Sequence, residues 1–570
     1  MTMIVQLIRM SGLVGWAVTA VPIARGRRPL VYPLSTEARR SVLDEAERLR
    51  LLSPTERDLL RLVHEPGFSR WLEQIKSIGG CAHPIYLAGR TTTHDAVTGE
   101  VLRHYDTADE PGGRMPVRCR NRRETRCEPC SYLHAGDTFH LVRSGLSGGK
   151  GVAHGVRRHP RLFVTLTAPS FGAVHRASGP DGAFCRPRRD RGVCEHGRSL
   201  GCGHKHTDTE SVVGQALCRD CYDYAGHVLW HASVGSLWNR YCHMLRRHLA
   251  TAAGITQTRL GEHLKVSFAK VAEYQKRGAV HFHVVIRLDG PDGPSSPPPL
   301  WATTELLEGA VRSAADQVEV RTPYSPATGE RVIKWGKRLD VHPIRSDAFT
   351  ESSTVTDNAV AAYVAKYVSK SVGDAGGIDY RIQDFNSIRL APVNTHLRAL
   401  MAACWRLGGL PGLEEMRLRA WAHTLGYRGH VLTKSRQYST TYGALRTVRA
   451  DYQGSGLLAL EDRDAVTDSA WRYVGSGHSP AEADFAVGIA EDLAETARYQ
   501  KRHDRRGVEI CLLGKVWGGS MPVVFGVSVL KVSGVGELRA RISVSLSDSR
   551  VYLVGKSKRA RMRIRIPWSC

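Results

Sequence analysis

Two histidines one residue apart stand in the stretch "EYQKRGAVHFHVVIRLDG", which begins at Glu273. Successive side chains of a strand point to opposite faces, so His281 and His283 should share a face. The preceding "LKVSFAKVAEY" also has the pattern of a strand, and "QKRG" predicts a tight turn between the two. The resulting hairpin would bring Glu273 close to His281. Two imidazoles and one carboxylate form a ligand set that suits Mg²⁺ or Mn²⁺. Taken alone, so short a motif also matches by chance.

The segment "NAVAAYVAKYVSKSVG" predicts a helix that Asp357 or Asn358 can cap at its start and Gly373 at its end. Tyr363 and Tyr367 are one helical turn apart and share a face. In isolation the same helix is better explained by core aromatics and solvent-facing lysines. Its interpretation therefore depends on the metal hairpin.

Hairpin and helix together predict a metal-assisted transesterification. A tyrosine hydroxyl becomes an effective nucleophile when a base, a cation or a metal activates it. Beside a metal that polarises a phosphodiester, it could attack phosphorus and leave a 5′-phosphotyrosine and a free 3′-hydroxyl. Lys366 and Lys370 lie on an adjacent stripe of the helix and would neutralise phosphate charge or stabilise the phenolate.

The overall charge indicates a polyanionic partner. The 570 residues carry 80 Lys and Arg against 55 Asp and Glu, a formal net charge of +25. Nucleic acid is the simplest partner, because its phosphates reward basic residues through counterion release. The apolar run "SGLVGWAVTAVPI" is too short to span a bilayer, so we expect a soluble, cytoplasmic protein without membrane contact.

The chain has 13 cysteines and no credible signal peptide, which favours metal ligation over disulfides. Tetrahedral zinc needs four ligands, often supplied as Cys-x-x-Cys pairs. The candidate ligands for structural zinc are Cys127, Cys130, Cys185, Cys194, Cys202, Cys218 and Cys221, with His196, His204 and His206 nearby. These residues could fill one or two zinc sites, and the sequence does not assign which of them share a site. The remaining cysteines are interpreted as ordinary or unassigned thiols: Cys81, Cys119, Cys242, Cys404, Cys511 and Cys570.

Residues 417–449 contain seven Lys and Arg, no Asp or Glu, and several aromatic residues. Such a mixture suits backbone contacts and base stacking on single strands. The predicted DNA contacts are Arg428, Lys434, Arg436 and Tyr438. The alternative is a solvated basic surface with ordinary core aromatics.

Three ordered blocks, "FVTLTAPS", "HFHVV" and "YVAKYVSK", make the chain resemble the rolling-circle replication initiators of the HUH endonuclease superfamily, in particular those of actinobacterial plasmids and integrative elements. The resemblance implies that His281 and His283 are metal ligands. Tyr367 matches the nucleophile, and Tyr363 the second tyrosine of two-tyrosine relatives. Glu273 as the third ligand depends on the hairpin argument.

The fold that the resemblance implies is α+β, an antiparallel-sheet HUH core with a cysteine-rich insertion and helical flanking regions. The predicted regions are a helical accessory region at 1–118, a zinc-binding region at 119–230 that includes a core strand at 161–170, the endonuclease core with its basic segment at 231–445, and a C-terminal region with a basic tail at 446–570.

The implied partners are origin DNA, single-stranded at the nick, and a host helicase with its replication machinery. The glycine-rich "SGLSGGKGV" lacks the residues of a phosphate loop, so unwinding is expected to come from the host. Val285 stands where a relaxase would carry a third histidine. The main alternative is a zinc-containing DNA-binding regulator without catalysis, and a histidine phosphoesterase ranks below it.

Overall fold

The structure is a computed structural model, and it describes residues 51–179, 181–188, 192–345, 355–370, 372–453 and 465–506, with three further strands between 512 and 542. The described residues up to Ile489 form one compact unit, and those from Ala490 form a second. The other residues, among them Cys511, Cys570 and most of the predicted basic tail, lie outside the described part.

The strands are β1 (Ile85–Asp95), β2 (Val101–Asp106), β3 (Met115–Val117), β4 (Arg161–Leu166), β5 (Lys265–Tyr274), β6 (Val280–Asp289), β7 (Val320–Arg321), β8 (Val332–Ile333), β9 (Leu339–Arg345), β10 (Val355–Thr356), β11 (Leu432–Lys434), β12 (Ala465–Ser476), β13 (Leu512–Val516), β14 (Val523–Val529) and β15 (Ala540–Ile542). The α-helices are α1 (Pro54–His64), α2 (Phe68–Ser77), α3 (Glu128–Ser147), α4 (Tyr224–Ala252), α5 (Leu260–His263), α6 (Thr304–Gln317), α7 (Asp357–Val368), α8 (Phe385–Leu390), α9 (Thr395–Leu407), α10 (Tyr442–Gln453) and α11 (Pro480–Arg506).

A six-stranded sheet in the order β10-β9-β4-β6-β5-β11 forms the centre of the larger unit. Its pairings are antiparallel except for that of β9 with the short edge strand β10. The predicted hairpin is the β5–β6 pair. A mixed fold of helices and antiparallel sheets confirms the coarse prediction of fold class.

The two faces of this sheet pack against different helices because side chains alternate along each strand. Phe282 of β6 belongs to one core cluster together with Trp238 of α4. Val285 of β6 belongs to another, together with Val364 of α7. His283 is two residues before Val285 and therefore lies on the face that α7 covers.

The described part of the N-terminal region, residues 51–118, contains strands as well as the helices that the sequence predicted for it. Ser53 caps α1 through a capping box with Glu56, and the described α-helices of this region end at Ser77. From Ile85 onward the chain forms β1, β2 and β3, which join β12 in a four-stranded sheet. The three consecutive threonines of β1, Thr91 to Thr93, are β-branched residues that favour a strand.

Several other element boundaries can be compared with the sequence. Helix α6 occupies Thr304–Gln317, and the side chain of Thr303 caps its start. The tyrosine helix is shorter than predicted: α7 ends at Val368, and Gly373 lies in a separate 3₁₀ turn.

In the smaller unit, β13, β14 and β15 form an antiparallel sheet. No helix within the described residues is long and apolar enough to cross a membrane.

Candidate metal and tyrosine site

The predicted ligands meet at one point of the β5–β6 hairpin. Glu273 stands directly opposite His281 in the strand register. Its Oε2 lies 2.8 Å from Nε2 of His281 and 2.9 Å from Nε2 of His283. The two Nε2 atoms are 2.9 Å apart. One carboxylate oxygen and two imidazole nitrogens therefore converge.

The spacing of these three atoms fits an octahedral ion better than a tetrahedral one. Adjacent ligands of an octahedral ion with bonds of about 2.1 Å are about 3.0 Å apart. Tetrahedral ligands at a similar bond length are about 3.4 Å apart. At this spacing the three residues could hold a metal ion.

The titration of the site also suits metal binding, which requires an ionised carboxylate and neutral imidazoles. Burial opposes ionisation of Glu273, but hydrogen bonds from His281 and His283 outweigh it and lower the pKa of the carboxyl to about 2. For His283, burial lowers the pKa of the imidazole, which favours its neutral form.

Two further contacts orient the imidazoles, and neither was predicted. Oγ1 of Thr165, on the neighbouring strand β4, lies 3.1 Å from Nδ1 of His283. A hydroxyl that accepts the Nδ1 proton leaves Nε2 free for a metal. Gln275 contacts Nδ1 of His281 at 3.1 Å, and its Oε1 accepts a hydrogen bond from Arg277. The sequence block "FVTLTAPS", which contains Thr165, was the signal from which a role of Thr165 at the site could have been predicted.

Both tyrosines of α7 reach the hairpin. Oη of Tyr363 lies 3.3 Å from Nε2 of His283, and the ring of Tyr367 lies 5.6 Å from the imidazole of His283. Burial, and then hydrogen bonding with Tyr367, raises the pKa of Tyr363 above its usual range, so this phenol needs activation to act as a nucleophile. Nζ of Lys370 lies 4.7 Å from the centre of the Tyr367 ring, and Nζ of Lys366 lies 5.6 Å from it.

The start of α7 is fixed differently from the prediction. Thr356 is the N-cap, and its hydroxyl accepts a backbone N–H, so the assignment of Asp357 or Asn358 as the cap was wrong. The carboxylate of Asp357 instead accepts hydrogen bonds from Arg161 at 2.9 Å and from Ser147 at 2.8 Å. These bonds connect the tyrosine helix to β4 and to the end of α3.

Three Cys/His groups in the described part of the chain could each hold a metal such as zinc. The groups are Cys81, Cys119, Cys127 and Cys130; His175, Cys185, Cys202 and His206; and Cys194, His196, Cys218 and Cys221. The ligand atoms of each group lie within 4.8 Å of one another. Cys81 and Cys119, which the sequence left as ordinary or unassigned thiols, lie beside Cys127 and Cys130, and His175 was not among the predicted ligands. His204 lies outside the groups.

The two groups of the insertion between β4 and α4 have spacings close to those of a tetrahedral site, where sulfur and nitrogen ligands are about 3.5 Å apart. Sγ of Cys202 lies 3.4 Å from Nε2 of His206, and Sγ of Cys221 lies 3.3 Å from Nδ1 of His196. Nδ1 of His206 is 2.8 Å from a carboxylate oxygen of Glu210. A carboxylate behind a ligating imidazole is typical of zinc sites.

Comparison with known proteins identifies the family. The sequence profile described as "Replication initiator protein, pSAM2" (RepSA) matches residues 67–491. A replication initiator protein of Streptomyces ambofaciens is 46% identical over 474 residues, which cover 80% of this chain and 99% of that protein. The chain belongs to this replication initiator family. No solved structure matches the initiator significantly.

The predicted DNA contacts of the initiator require one correction. Tyr438 cannot stack on a base, because its side chain is fully buried and its hydroxyl donates to the carbonyl of Val142 at 3.2 Å. Nζ of Lys434 lies 3.0 to 3.4 Å from three carbonyl oxygens of its own loop. Arg428 and Arg436 are exposed, although the guanidinium of Arg428 also contacts nearby carbonyls.

Proposed function

We propose that the initiator nicks one strand of its origin DNA by tyrosine transesterification, with Mg²⁺ or Mn²⁺ bound by Glu273, His281 and His283. The observation that carries the proposal is the meeting of α7 with the hairpin, where the Tyr363 hydroxyl lies 3.3 Å from a ligand nitrogen of His283. On this proposal the six-stranded sheet is an HUH endonuclease core.

When bound, the metal would polarise the scissile phosphodiester and offset the charge on its oxygens. Oη of Tyr367 would attack phosphorus, and the bond to the 3′-oxygen would break as the new ester forms. The phenol proton passes to solvent, and the leaving 3′-oxygen takes up a proton from solvent. Lys370 stabilises the developing phenolate charge. The products are a 5′-phosphotyrosine and a 3′-hydroxyl that can prime synthesis.

Tyr363 would act as a second nucleophile on the same helix, one turn before Tyr367. Lys366 lies between the two tyrosines in sequence and would neutralise phosphate charge. Two tyrosines beside one metal allow successive strand transfers, one at the start of a replication round and one at its end. This assignment follows the two-tyrosine relatives that the sequence resembles.

The substrate would be origin DNA of a plasmid or integrative element, single-stranded at the nick. Exposed Arg428 and Arg436 would contact its phosphates. The sequence contains no helicase signature, so a host helicase would unwind the duplex and host replication proteins would extend the 3′-hydroxyl. Zinc in the insertion would have a structural role.

The test is incubation of the full chain with labelled single-stranded oligonucleotides that tile the replicon around its own gene, in Mn²⁺ or Mg²⁺. We expect a covalent adduct on a denaturing gel, mapped by mass spectrometry to Tyr367 or Tyr363. His281→Ala and EDTA should both abolish it, and the Tyr363→Phe/Tyr367→Phe double variant should form none.

Tyr380→Phe is the matched control, because this exposed tyrosine lies beyond α7; its adduct yield should equal that of the unmodified chain. Metal-independent binding without an adduct on any tiled strand would refute the nickase. That result would favour the zinc-containing DNA-binding regulator.

A further inference from the structure

The four-cysteine group (Cys81, Cys119, Cys127 and Cys130) has the spacing of a tetrahedral zinc site. Sγ of Cys81 lies 3.8 Å from Sγ of Cys127 and 3.6 Å from Sγ of Cys130. Four sulfur ligands around zinc, with bonds of about 2.3 Å, are about 3.8 Å apart. A disulfide would need about 2.05 Å, and all four thiols are free.

The backbone around the group presents hydrogen-bond donors to the sulfurs. Backbone N–H groups point at three of the sulfurs: that of Ala82 at Cys127 (3.4 Å), that of Cys119 at Cys81 (3.3 Å) and that of Asn121 at Cys119 (3.5 Å). Hydrogen bonds of this kind favour the charged form of a ligand. Apolar side chains of α2 and α11 pack around Cys81, Cys127 and Cys130, which are buried, whereas Cys119 is partly exposed.

The loop that this group closes contacts the end of the tyrosine helix. Between Cys119 and Cys127 lies Arg122, whose Nη1 donates to the carbonyl oxygens of Val368 at 3.1 Å and Lys370 at 2.7 Å. The last carbonyls of a helix have no partner within it, and a cation at that end also offsets the helix dipole. Arg122 therefore fixes the C-terminal end of α7, directly after Tyr367.

Further bonds hold the same loop in place. The hydroxyl of Ser131, in α3, donates to the backbone carbonyl of Arg122 at 2.8 Å. Thr125 and Arg123 both bond to Asp379, in the segment after α7. The loop thus connects the start of α3 to the C-terminal end of α7 and to the segment that follows this helix.

We propose that the four-cysteine group binds one zinc ion and that this ion positions the tyrosine helix by fixing the loop that carries Arg122. Binding would release the thiol protons to solvent. The site is distinct from the two groups of the insertion and adds Cys81 and Cys119 to the Cys127-x-x-Cys130 pair. Its effect on nicking, though not its existence, rests on the proposed function.

Metal analysis of the purified full chain tests the site. Cys119→Ser, at a partly exposed position, should lose about one zinc per chain relative to the unmodified protein. Cys242→Ser, a thiol of α4 outside the three groups, should lose none. Equal zinc content in Cys119→Ser and the unmodified chain would overturn the proposal. If Cys119→Ser does not fold, alkylation mapping of the unmodified chain decides: the four thiols should react only after zinc is chelated, and prompt reaction would overturn the site.

Hydrogen exchange of α7 tests the positioning role without any DNA. Arg122→Ala should keep its zinc and yet speed amide exchange around Tyr367 and Lys370 about tenfold, the effect of losing a charged hydrogen bond. Arg126→Ala, an exposed arginine of the same loop, is the matched control and should leave exchange unchanged. Unchanged exchange in Arg122→Ala would overturn the role of the loop.

Nicking then separates this inference from the proposed function. Arg122→Ala should slow adduct formation about tenfold or more while Mn²⁺ affinity stays the same, because only the nucleophile is displaced. If the unmodified chain forms no adduct, the proposed function fails. The zinc and exchange results still decide the inference.

Discussion

Replacing Thr165 with valine tests whether one hydroxyl controls the metal affinity of the hairpin. Valine keeps the branched shape on β4 but removes Oγ1, which lies 3.1 Å from Nδ1 of His283. Without that acceptor, the neutral imidazole can carry its proton on Nε2 instead. Nε2 is the atom that would bind the proposed metal, so binding would have to displace that proton.

The expected effect is a tenfold loss of Mn²⁺ affinity. Removing a partner of a ligating histidine typically weakens metal binding by about 10- to 100-fold, which corresponds to about 1.4 to 2.7 kcal/mol. Thr165 is only partly buried, so water can replace the lost acceptor. The value should therefore fall at the lower end of this range.

Mn²⁺ titration followed by electron paramagnetic resonance measures the affinity of the full chain. Thr167→Val is the matched control, because the hydroxyl of Thr167 donates to the carbonyl of Arg338 at 2.6 Å and does not contact His283. It loses a hydrogen bond of its own but should keep the metal affinity. Equal affinity in Thr165→Val and the unmodified chain, or equal weakening in both variants, would refute the reasoning.

Gly145→Ala should lower the free energy of unfolding by about 1 to 3 kcal/mol in urea denaturation, because the added methyl group would overlap the buried ring of Tyr438; unchanged stability would contradict this. Tyr438→Phe should cost about 1 kcal/mol through its lost hydrogen bond and leave DNA affinity unchanged. Arg436→Ala should instead weaken binding to single-stranded DNA and reduce its salt dependence in fluorescence anisotropy, and the reverse pattern would argue against both assignments. Burial lowers the pKa of Lys270 from 10.5 to about 8, so the unfolded chain binds more protons between these pH values and stability rises with pH across that window. Lys270→Met should raise the free energy of unfolding at pH 7 by an amount on the order of 3 kcal/mol. This gain in stability should vanish as the pH rises through 10.5, above which the lysine is neutral in both states. A gain in stability that is independent of pH would count against burial of the charge.

The parts of the candidate site that could be predicted are those set by local geometry. A strand, a short turn and a second strand place Glu273 opposite His281 whatever the rest of the chain does. Helical periodicity likewise puts Tyr363 and Tyr367 on one face. Capping was less predictable, because the chain offers adjacent polar residues and packing selects among them: Thr356 caps α7 while Asp357 pairs with Arg161.

Contacts between distant segments could not be predicted from spacing. Cys81 joins Cys127 and Cys130 only because α2 and the residues directly after it pack against the start of α3. Thr165 reaches His283 because β4 inserts between β6 and β9. The basic composition around Tyr438 suggested an exposed aromatic surface, yet composition does not distinguish a ring that stacks on DNA from one that fills a gap beside a glycine.

The central position of β4 also sets the order in which the protein can become active during its synthesis. This strand pairs with β6 and β9, both more than a hundred residues downstream, and Tyr367, the proposed nucleophile, follows later still. Translation proceeds at about 5 to 20 residues per second, so roughly 10 to 40 s separate the synthesis of Thr165 from that of Tyr367. A nascent chain therefore carries the hairpin histidines before it carries the tyrosines. The ability to cut DNA would arise only once the chain has passed α7.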